Sequence, residues 1–597
     1  MHLARVRIEN FRNFSELDVP LSGNVVVVGE NRVGKSNLLH ALRLILDPTL
    51  PDSARQLARS DFWDGLEELT AEDKIVISVD IRDFEDDPKI LAVLTDYRLD
   101  DDPDTVRLNY EFRAKADLDG EPAADSDFEF LCYGGESESK LFGHDLRRRL
   151  TMDLLPALRD AEGDLSAWRR SPIRPLIENA FRDIDQSELE EIAESIEATT
   201  AKITEFDAVE QLGKDIATLF AKMSGARQDI KPSLGFSPTD PARLYRSMRL
   251  LIDNGVRSIS EASLGSANLV FLCLKTLQVN QLIEENARDH TFLAIEEPEA
   301  HLHPHLQRSV YRHLFESVKK DSPLSVFLTT HSPHIASVTP LRSIVLLRER
   351  KDTGTVGNST ASIELSESEA DDLARYLDVT RAEMLFARGV ILVEGDAERF
   401  VVPAAARALD KPLDHLGITV CSVGGTNFIP YAKLLVGLGI PFAVVTDWDP
   451  PEGEGNALGW NRSLDIVAAI QEMKTRRSAK GLRAELDAID DPNKFASRCE
   501  EYGVFSNVDT LEVDLFNNKA HRPLVLATLR EGPFGTERMN RIQGWEDDPD
   551  SLDRKKFLGL VETMGKGRFS QRLAAQLKGQ RPLPYIAGAI DFVAKRV

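Results

Sequence analysis

Four carboxylates in the last third of the chain have the types and spacing of a site that binds divalent cations. Glu394 ends the apolar run 390–393, and Glu398 follows one helical turn later. Asp447 and Asp449 end a second apolar run, and side chains at i and i+2 of an extended segment point the same way. Carboxylate oxygens suit Mg²⁺ or Mn²⁺, and two such ions about 4 Å apart activate water against a phosphodiester. The four acids therefore predict two-metal phosphodiester hydrolysis.

A second set of residues, near the start of the chain, has the spacing of a phosphate-binding loop. The stretch 29–36 reads GENRVGKS, follows the apolar run 24–28 and precedes a helical pattern. In such a loop the backbone N–H groups face the phosphates, and the helix N-terminus adds a favourable dipole. We expect Lys35 to reach the β- and γ-phosphates of ATP and Ser36 to hold one Mg²⁺ ion. The residues expected to bind the nucleotide here are Gly29, Asn31, Gly34, Lys35, Ser36 and Asn37.

Three further residues extend this site from ATP binding to ATP hydrolysis. Glu296 and Glu297 end the apolar run 292–295, and strand ends lie beside the phosphate loop in a parallel sheet. We expect Glu296 to hold Mg²⁺, directly or through water, and Glu297 to polarise the attacking water. His331 follows another apolar run, where we expect it to contact the γ-phosphate. A glutamate pair at the end of a strand is often only solvated, and a lone histidine usually has a structural role. The prediction therefore rests on the order of the three motifs along the chain, with the glutamate pair and then the histidine after the phosphate loop.

The elements that position these residues follow from hydrophobic periodicity. Short apolar runs bounded by turns predict buried strands, whereas 36–46 has helical spacing. Long polar helical patterns dominate from about 120 to 255, which predicts either an insertion that pairs two subunits or a plain helical layer. We therefore expect an α/β fold of four parts. These are the N-terminal part of an ATPase domain (1–120), a mainly helical insertion (121–255), the C-terminal part of the ATPase domain (256–365) and a second α/β domain with C-terminal helical elements (366–597).

The composition narrows the class of protein. The net charge of −25 argues against a surface coated in positive charge for nucleic acid, although local binding stays open. No apolar run approaches the ~20 residues of a membrane helix, and the first residues lack the apolar stretch of a secretory signal. We therefore expect a cytoplasmic protein without a membrane partner. The four cysteines are scattered singly, which predicts neither a zinc site nor a disulfide framework.

The N-terminal motifs resemble the ABC-type ATPases of the RecF and structural-maintenance-of-chromosomes group. The resemblance rests on the start 8–14 (IENFRNF), the phosphate loop, the glutamate pair and the histidine after the next strand, in that order. It implies that two ATPase domains clamp ATP between them, each reading the other's LSGG-like signature. The nearest match here is SLGS, which departs from that pattern. By this resemblance Ser263 and Gly265 would contact the nucleotide.

The C-terminal motifs resemble the Toprim domain of topoisomerases, primases and some nucleases. They are VEG at 393–395 and DWD at 447–449. An ABC ATPase followed by a Toprim domain is the arrangement of the OLD (overcoming lysogenisation defect) family nucleases, and this resemblance covers nearly the whole chain. It implies two-metal cleavage of DNA and defence against phage. By the same resemblance Glu512 would complete the second metal site, and Lys566 would stabilise charge that builds on the phosphate.

The resemblance also implies partners. We expect a homodimer or a higher homo-oligomer that acts on DNA. One subgroup of the family, class 2, is encoded beside a UvrD-like helicase. The elements VEGDAE and GKGRF favour that subgroup, and with it a helicase partner.

Two other functions stay open at this point. The first is a RecF-like, ATP-gated DNA-binding repair mediator that does not cleave, which would need a degenerate Toprim site. The intact acids Glu394, Glu398, Asp447, Asp449 and Glu512 speak against it. The second is an enzyme that processes RNA or nucleotides with the same acids, which the sequence alone does not distinguish from a DNA nuclease.

Overall fold

A computed structural model gives the fold of the described residues in two compact units. It describes all of the chain except residues 119, 158–159, 225–231, 235, 237–239, 241–245, 247, 319–321 and 452–455. The first unit comprises Met1–Pro156, His290–Glu299 and Pro304–Val597. The second comprises Ala157–Asp289 and Ala300–His303. Among the described residues, no helix combines the length and the apolar character that a membrane crossing requires.

The strands form a large sheet, a smaller sheet and a short hairpin. Their bounds are β1 (His2–Phe11), β2 (Phe14–Pro20), β3 (Val25–Gly29), β4 (Lys74–Arg82), β5 (Val106–Ala114), β6 (Phe128–Gly134), β7 (Leu150–Leu155), β8 (Leu251–Ile252), β9 (Arg257–Ser258), β10 (His290–Glu296), β11 (Leu324–Thr330), β12 (Ile344–Arg350), β13 (Gly354–Ser359), β14 (Gly389–Val393), β15 (Ile418–Ser422), β16 (Phe442–Thr446) and β17 (Val504–Ser506). In the described chain the large sheet has the order β6-β5-β4-β1-β2-β13-β12-β3-β11-β10-β7, and the smaller sheet has the order β15-β14-β16-β17. The mixed α/β fold class predicted from the sequence is confirmed.

The first unit also contains α-helices. Their bounds are Lys35–Leu46, Asp52–Arg55, Pro88–Leu94, His144–Arg149, Pro304–Ser317, Pro333–Ala336, Glu367–Tyr376, Val379–Ala382, Asp396–Ala408, Leu413–Leu416, Ile429–Gly437, Leu458–Thr475, Lys480–Asp487, Pro492–Glu500, Leu511–Asn517, Arg522–Arg530, Thr536–Asp547, Arg554–Met564, Lys566–Gln576 and Pro584–Ala594.

The centre of the large sheet brings the N-terminal motifs to one edge. Strand β3 pairs in parallel with β11 and β12, and β11 pairs in parallel with β10. These strands are almost wholly buried, which explains their continuous runs of apolar residues. Because parallel strands end at the same edge, the loops after β3, β10 and β11 lie side by side.

The smaller sheet brings the C-terminal acids to one edge in the same way. Strand β14 lies between β15 and β16, β16 pairs with β17, and all of these pairings are parallel. The helices Asp396–Ala408 and Lys566–Gln576 pack against each other, and Pro584–Ala594 packs on β14, β16 and β17. Their buried apolar side chains share one core with the sheet, so the strand ends are held on a rigid base.

The second unit is mainly helical. Its helices are Ala161–Ser166, Ile173–Ala180, Gln186–Thr204, Asp207–Ser224 and Leu264–Glu284, and β8 and β9 form its hairpin. The sequence placed the start of the helical insertion at 121, whereas β6 and β7 belong to the large sheet and this unit begins at Ala157. Part of the predicted insertion, from 225 to 247, lies largely outside the described residues.

Candidate ATP and metal sites

The phosphate loop has the backbone that close approach to a phosphate needs. It runs from the end of β3 to the helix Lys35–Leu46. Gly34 has φ 89°, and a Cβ there would come within 2.1 Å of Asn13 Nδ2. A larger residue at this position would therefore be strained and would collide with a neighbouring side chain. The predicted ligands Asn31 and Ser36 are exposed at this loop, so its surface is open to a nucleotide.

Lys35 forms hydrogen bonds with carbonyl groups of its own loop. Its Nζ donates hydrogen bonds to the carbonyl oxygens of Gly29 (3.2 Å) and Glu30 (2.8 Å). Burial lowers the pKa of Lys35 to about 8, and the charges of Glu297 and Glu299 act in the opposite direction. A desolvated ammonium group is electrostatically stronger than an exposed one, which suits the binding of phosphate oxygens.

Asn37 has a structural role that the sequence motif did not reveal. Its Nδ2 donates to Asn13 Oδ1 (2.6 Å), and its Oδ1 accepts a bond from Arg12 (2.9 Å). Asn13 in turn donates to the carbonyl oxygen of Val33 (3.0 Å) and to the Thr355 hydroxyl (2.7 Å). The turn between β1 and β2 thus supports the phosphate loop. The sequence signal for this support was the run 8–14, in which Asn13 is one polar residue among several.

The glutamate pair and the histidine meet at the adjacent strand ends. Glu296 is the last residue of β10 and is half-buried. Glu297 follows in a turn with φ 40°, and its Oε1 lies 3.5 Å from His331 Nε2. Burial and the charge of Lys35 lower the pKa of His331. The structure thus places the predicted water-polarising acid and the predicted phosphate-sensing histidine next to each other.

Glu299 is a positioning residue that sequence reasoning missed. Its carboxylate accepts hydrogen bonds from the His331 backbone N–H (2.6 Å) and the Thr330 hydroxyl (2.9 Å). Burial raises the pKa of this carboxyl group. Glu299 therefore fixes the loop that carries His331. In the sequence it is one more acid after the Glu296–Glu297 pair, with no spacing that sets it apart.

The signature residues lie in the second unit. Ser263 caps the helix Leu264–Glu284, where its hydroxyl accepts a bond from the Ser266 backbone N–H (3.2 Å). Gly265 lies against the backbone of its own unit, since a Cβ there would meet the His301 carbonyl oxygen at 2.3 Å. Both residues therefore have local structural roles, and a contact with nucleotide stays a prediction.

Three parallel strand ends supply the acidic site of the smaller sheet. Glu394 directly follows β14, Asp447 directly follows β16, and Asn507 directly follows β17. Glu394 Oε1 accepts bonds from the Asp447 backbone N–H (2.9 Å) and the Thr446 hydroxyl (2.6 Å). Asp447 Oδ1 accepts bonds from the Asn507 amide and from the Leu511 backbone N–H (3.1 Å). These bonds lock the two predicted carboxylates into one layer.

Two more acids, Glu398 and Glu512, add negative charge next to Glu394 and Asp447. Glu398 lies in the first turn of the helix Asp396–Ala408, where its Oε2 accepts a bond from the Gly395 N–H (3.1 Å). Glu512, in the helix Leu511–Asn517, is 2% exposed. Burial, followed by the charges of Glu394, Glu398 and Glu512, raises the pKa of Asp447 to about 8. Burial, with a contribution from Glu512, likewise raises the pKa of Glu398 to about 7.

An arginine faces these acids. Arg462, in the helix Leu458–Thr475, donates through Nη1 to Glu394 and through Nη2 to Asp449 (3.0 Å). Its side chain is 13% exposed. Arg462 also donates to the Asp447 carbonyl oxygen (3.1 Å), so it ties the predicted acids together. Sequence reasoning missed it because Arg462 stands alone in a helix, without a motif.

The acidic group fits a divalent cation in its chemistry. Its donors are carboxylate oxygens that repel one another, and a bound cation would restore their ionisation. Thr510 Oγ1 is buried beside them without a hydrogen-bond partner among the described residues, although it directly precedes Leu511, which binds Asp447. The carboxylates do not yet stand at metal-binding distances from one common point. In the described chain, no group of three or more His, Cys, Asp or Glu side chains is arranged to hold a metal ion.

The remaining predicted residue lies beside the site. Lys566 is exposed at the start of its helix, and a Cβ on the next residue, Gly567, would come 3.3 Å from Asp396 Cβ. The lysine thus begins the helix that packs on the helix of Glu398. Another acid near the site, Asp509, pairs with Arg554 (2.6 Å).

The raised pKa values of these acids predict a pH-dependent effect of metal on stability. Carboxyl groups with folded-state pKa values of about 7 and about 8, against about 4 when unfolded, favour the folded state less as pH rises from about 4 to about 8. A bound divalent cation offsets this loss. We expect Mn²⁺ to raise the melting temperature more at pH 8 than at pH 5.5, as measured by differential scanning fluorimetry against EDTA. An equal shift at the two pH values would contradict the assignment.

Comparison with known proteins supports this arrangement of domains. A family model described as "AAA ATPase domain" matches residues 1–143 and 150–336. A second, "Overcoming lysogenization defect protein-like, TOPRIM domain", matches residues 385–449. An ATPase sheet with a phosphate loop, followed by a Toprim sheet, thus defines the class of protein. The chain belongs to the OLD family of nucleases, with an AAA ATPase domain before an OLD-like Toprim domain.

Individual relatives give the same result. The OLD nuclease of Thermus scotoductus is 27% identical over 468 residues, covering 75% of this chain and 82% of its own. Endonuclease GajA of Bacillus cereus (strain VD045) is 23% identical over 605 residues, covering 94% of this chain and 95% of its own. Among solved structures, the C-terminal region of the Burkholderia pseudomallei OLD protein is 38% identical, with a TM-score of 0.30, and covers 35% of this chain and 98% of that one. The family predicted from the motifs is confirmed, and the helicase-linked subgroup stays a prediction.

Proposed function

We propose that this chain is an ATP-binding DNA endonuclease that hydrolyses phosphodiesters with two Mg²⁺ or Mn²⁺ ions at the Toprim site. The observation that carries the proposal is the meeting of the Glu394 and Asp447 carboxylates at adjacent parallel strand ends, where Glu394 Oε1 accepts a hydrogen bond from the Asp447 backbone N–H (2.9 Å), with the buried acids Glu398 and Glu512 beside them. Carboxylates are kept in such proximity, despite their repulsion, where a cation is to be bound. When bound, the two ions would activate water and stabilise the leaving oxygen.

Residues of the Toprim site would bind the two ions, position the acids that hold them and stabilise the substrate phosphate. We assign Glu394, Glu398, Asp447, Asp449 and Glu512 as the acids that bind the ions. Arg462 keeps Glu394 and Asp449 in register through its two Nη atoms. Lys566, exposed at a helix start beside the helix of Glu398, would stabilise negative charge on the phosphate.

The ATPase domain would regulate this site. We assign ATP and one Mg²⁺ ion to the phosphate loop, with Glu296 as an ion ligand and Glu297 as the residue that polarises water. Its closeness to His331 supports this role. ATP binding would then organise an assembly of subunits rather than drive the cut.

An exposed apolar stripe on the second unit supports the proposal of a homodimer. Leu212, Ile216, Leu219 and Met223 are spaced four, three and four residues apart on the helix Asp207–Ser224, and they are 38–79% exposed. Exposed apolar side chains at heptad spacing are typical of a helix that packs on a partner helix. We propose that a second copy of this chain covers the stripe.

Leu219→Glu should weaken this dimer at least about tenfold, because a buried charge without a partner is costly. Thr218→Glu adds the same charge next to the stripe on the same helix and serves as the matched control. Light scattering after size exclusion measures the mass of both variants. If Leu219→Glu elutes with the mass of the wild type across a dilution series, the stripe is not the dimer interface.

The test of the nuclease activity is direct. Purified protein should convert supercoiled plasmid to nicked or linear DNA with Mg²⁺ or Mn²⁺ and leave it intact in EDTA. A RecF-like mediator would bind the plasmid without cutting it, and an enzyme specific for RNA or nucleotides would leave it untouched. A role in phage defence or DNA processing and a UvrD-like helicase partner remain predictions from the family.

A further inference from the structure

A cleft between the two domains of the first unit collects positive charge. It has a volume of about 690 Å³ and lies where the end of β12 meets the residues before β14. The cations that line it are Arg348, Arg350, Lys351, Arg388 and Arg596, against the acids Glu30 and Glu349. In a chain of net charge −25, this local excess of cations is unusual.

Several of these cations lack an acid partner. The side chains of Arg350 and Lys351 make no hydrogen bond or ion pair among the described residues, and both are exposed. Within the described part of the chain, the guanidinium of Arg348 donates only to the carbonyl oxygens of Gly439 (3.3 Å) and Arg388 (2.6 Å). Burial lowers the pKa of Arg348, the charge of Glu30 opposes this shift, and the positive charges of Arg350 and Arg388 add to it. The cleft therefore holds clustered positive charge that an anion would relieve.

The cleft adjoins the phosphate loop, because Gly29, Glu30 and Val33 line one part of it, but its charged groups differ from those of the two sites described above. None of the residues that we assign to ATP hydrolysis (Lys35, Ser36, Glu296, Glu297 and His331) lines it. Its floor is apolar and includes Leu347, Phe386 and Pro441. A cavity of this size, with an apolar floor and a few convergent charges, is typical of a small-molecule site.

We propose that this cleft binds a small phosphorylated anion, such as the polyphosphate group of a nucleotide. Phosphate oxygens match several guanidinium and ammonium donors at once, and the apolar floor would accept the organic part of such a ligand. A longer nucleic acid strand fits less well, because the volume is that of a small molecule.

The ligand would also connect the two domains. Glu30, in the phosphate loop, accepts two hydrogen bonds from Arg388, at 2.7 and 3.1 Å. Arg388 directly precedes β14, which ends at the acid Glu394. A phosphate in the cleft would compete with Glu30 for Arg388, so its binding would act on the strand that carries the nuclease site.

Titration calorimetry with inorganic tripolyphosphate tests the site in the full-length chain. Lys35→Ala is the background for every sample, because it removes the main phosphate contact of the ATP site. We expect binding to persist there, and to weaken at least about tenfold when Arg350→Gln and Lys351→Gln are added. The matched control adds Lys115→Gln and Lys519→Gln, two exposed lysines elsewhere, with the same change of charge.

A second variant gives a change in the opposite direction, which damage to the fold would not produce. In the same background, Glu30→Gln removes the competing carboxylate and should tighten tripolyphosphate binding about threefold to fivefold. The proposal is overturned if the Lys35→Ala protein binds no tripolyphosphate, if the two double variants bind it equally well, or if Glu30→Gln weakens binding.

Discussion

Asp447→Asn should lower the rate of plasmid nicking at least about a thousandfold, the scale on which removal of a metal-binding acid acts. Asparagine has the shape of aspartate and keeps an oxygen that accepts the Leu511 N–H, so the local fold is preserved. What disappears is the negative charge at the centre of the acidic group.

The same substitution should raise the stability of the metal-free protein. The pKa of Asp447 is raised to about 8 because burial and three neighbouring acids disfavour its ionised form. A neutral side chain removes that repulsion, so the melting temperature in EDTA at pH 8 should increase by several degrees. Loss of activity with a gain of stability distinguishes a functional acid from a structural one.

Two assays measure this prediction, plasmid nicking in Mn²⁺ and thermal unfolding in EDTA. Asp490→Asn, which changes an exposed aspartate, is the matched control and should leave both results unchanged. If Asp447→Asn retains more than about a tenth of wild-type nicking, Asp447 is not a ligand of the catalytic ions.

Lys35→Ala should lower the rate of ATP hydrolysis at least about a hundredfold. In the structure the Lys35 ammonium is held by the carbonyl oxygens of Gly29 and Glu30, at the phosphate loop itself. Without it, the loop loses the ammonium group that would reach the phosphates, and the two carbonyl groups lose a donor.

Basal nicking should survive this change. None of the five acids assigned to the Toprim site hydrogen-bonds to Lys35 in the described chain, so the nuclease site keeps its own ligands. Release of phosphate from ATP and nicking of plasmid are measured on the same preparation, with Lys480→Ala as a control for the loss of one exposed lysine. ATP turnover within threefold of the wild type would show that the phosphate loop is wrongly assigned.

Strand ends were the part of the sites that sequence could predict. Glu394 and Asp447 each follow a short apolar run, and parallel strands bring such positions to one edge. Glu296 and His331 follow the same logic in the large sheet. In each case the hydrophobic pattern predicts the strand, and a polar residue at its end or directly after it becomes the candidate.

Residues that act from another element could not be predicted in this way. Arg462 reaches Glu394 from a helix 68 positions along the chain, and Asn507 reaches Asp447 across 60 positions. Glu299 orients His331 from the preceding loop. Such contacts depend on how the helices and strands pack together, and no spacing of residues in the local sequence indicates that packing.

The start of the helical insertion shows a related limit. Strand β6 (FEFLCYG) and strand β7 (LTMDLL) mix apolar and polar residues, and the helix His144–Arg149 lies between them. A strand at the edge of a sheet has one unpaired side, so its alternation of apolar and polar residues is weak. Such a strand, flanked by polar residues, is easily mistaken in the sequence for part of a helical region.

The most direct test of the whole account is a calorimetric titration of the nucleotide-free protein with Mn²⁺. Carboxylates from three separate stretches should act as one site, so Glu398→Gln, Asp447→Asn and Glu512→Gln should each weaken Mn²⁺ binding at least about tenfold, with Asp490→Asn unchanged. Wild-type affinity in the Glu512→Gln protein, or no Mn²⁺ binding by the wild type, would contradict the nuclease site described here.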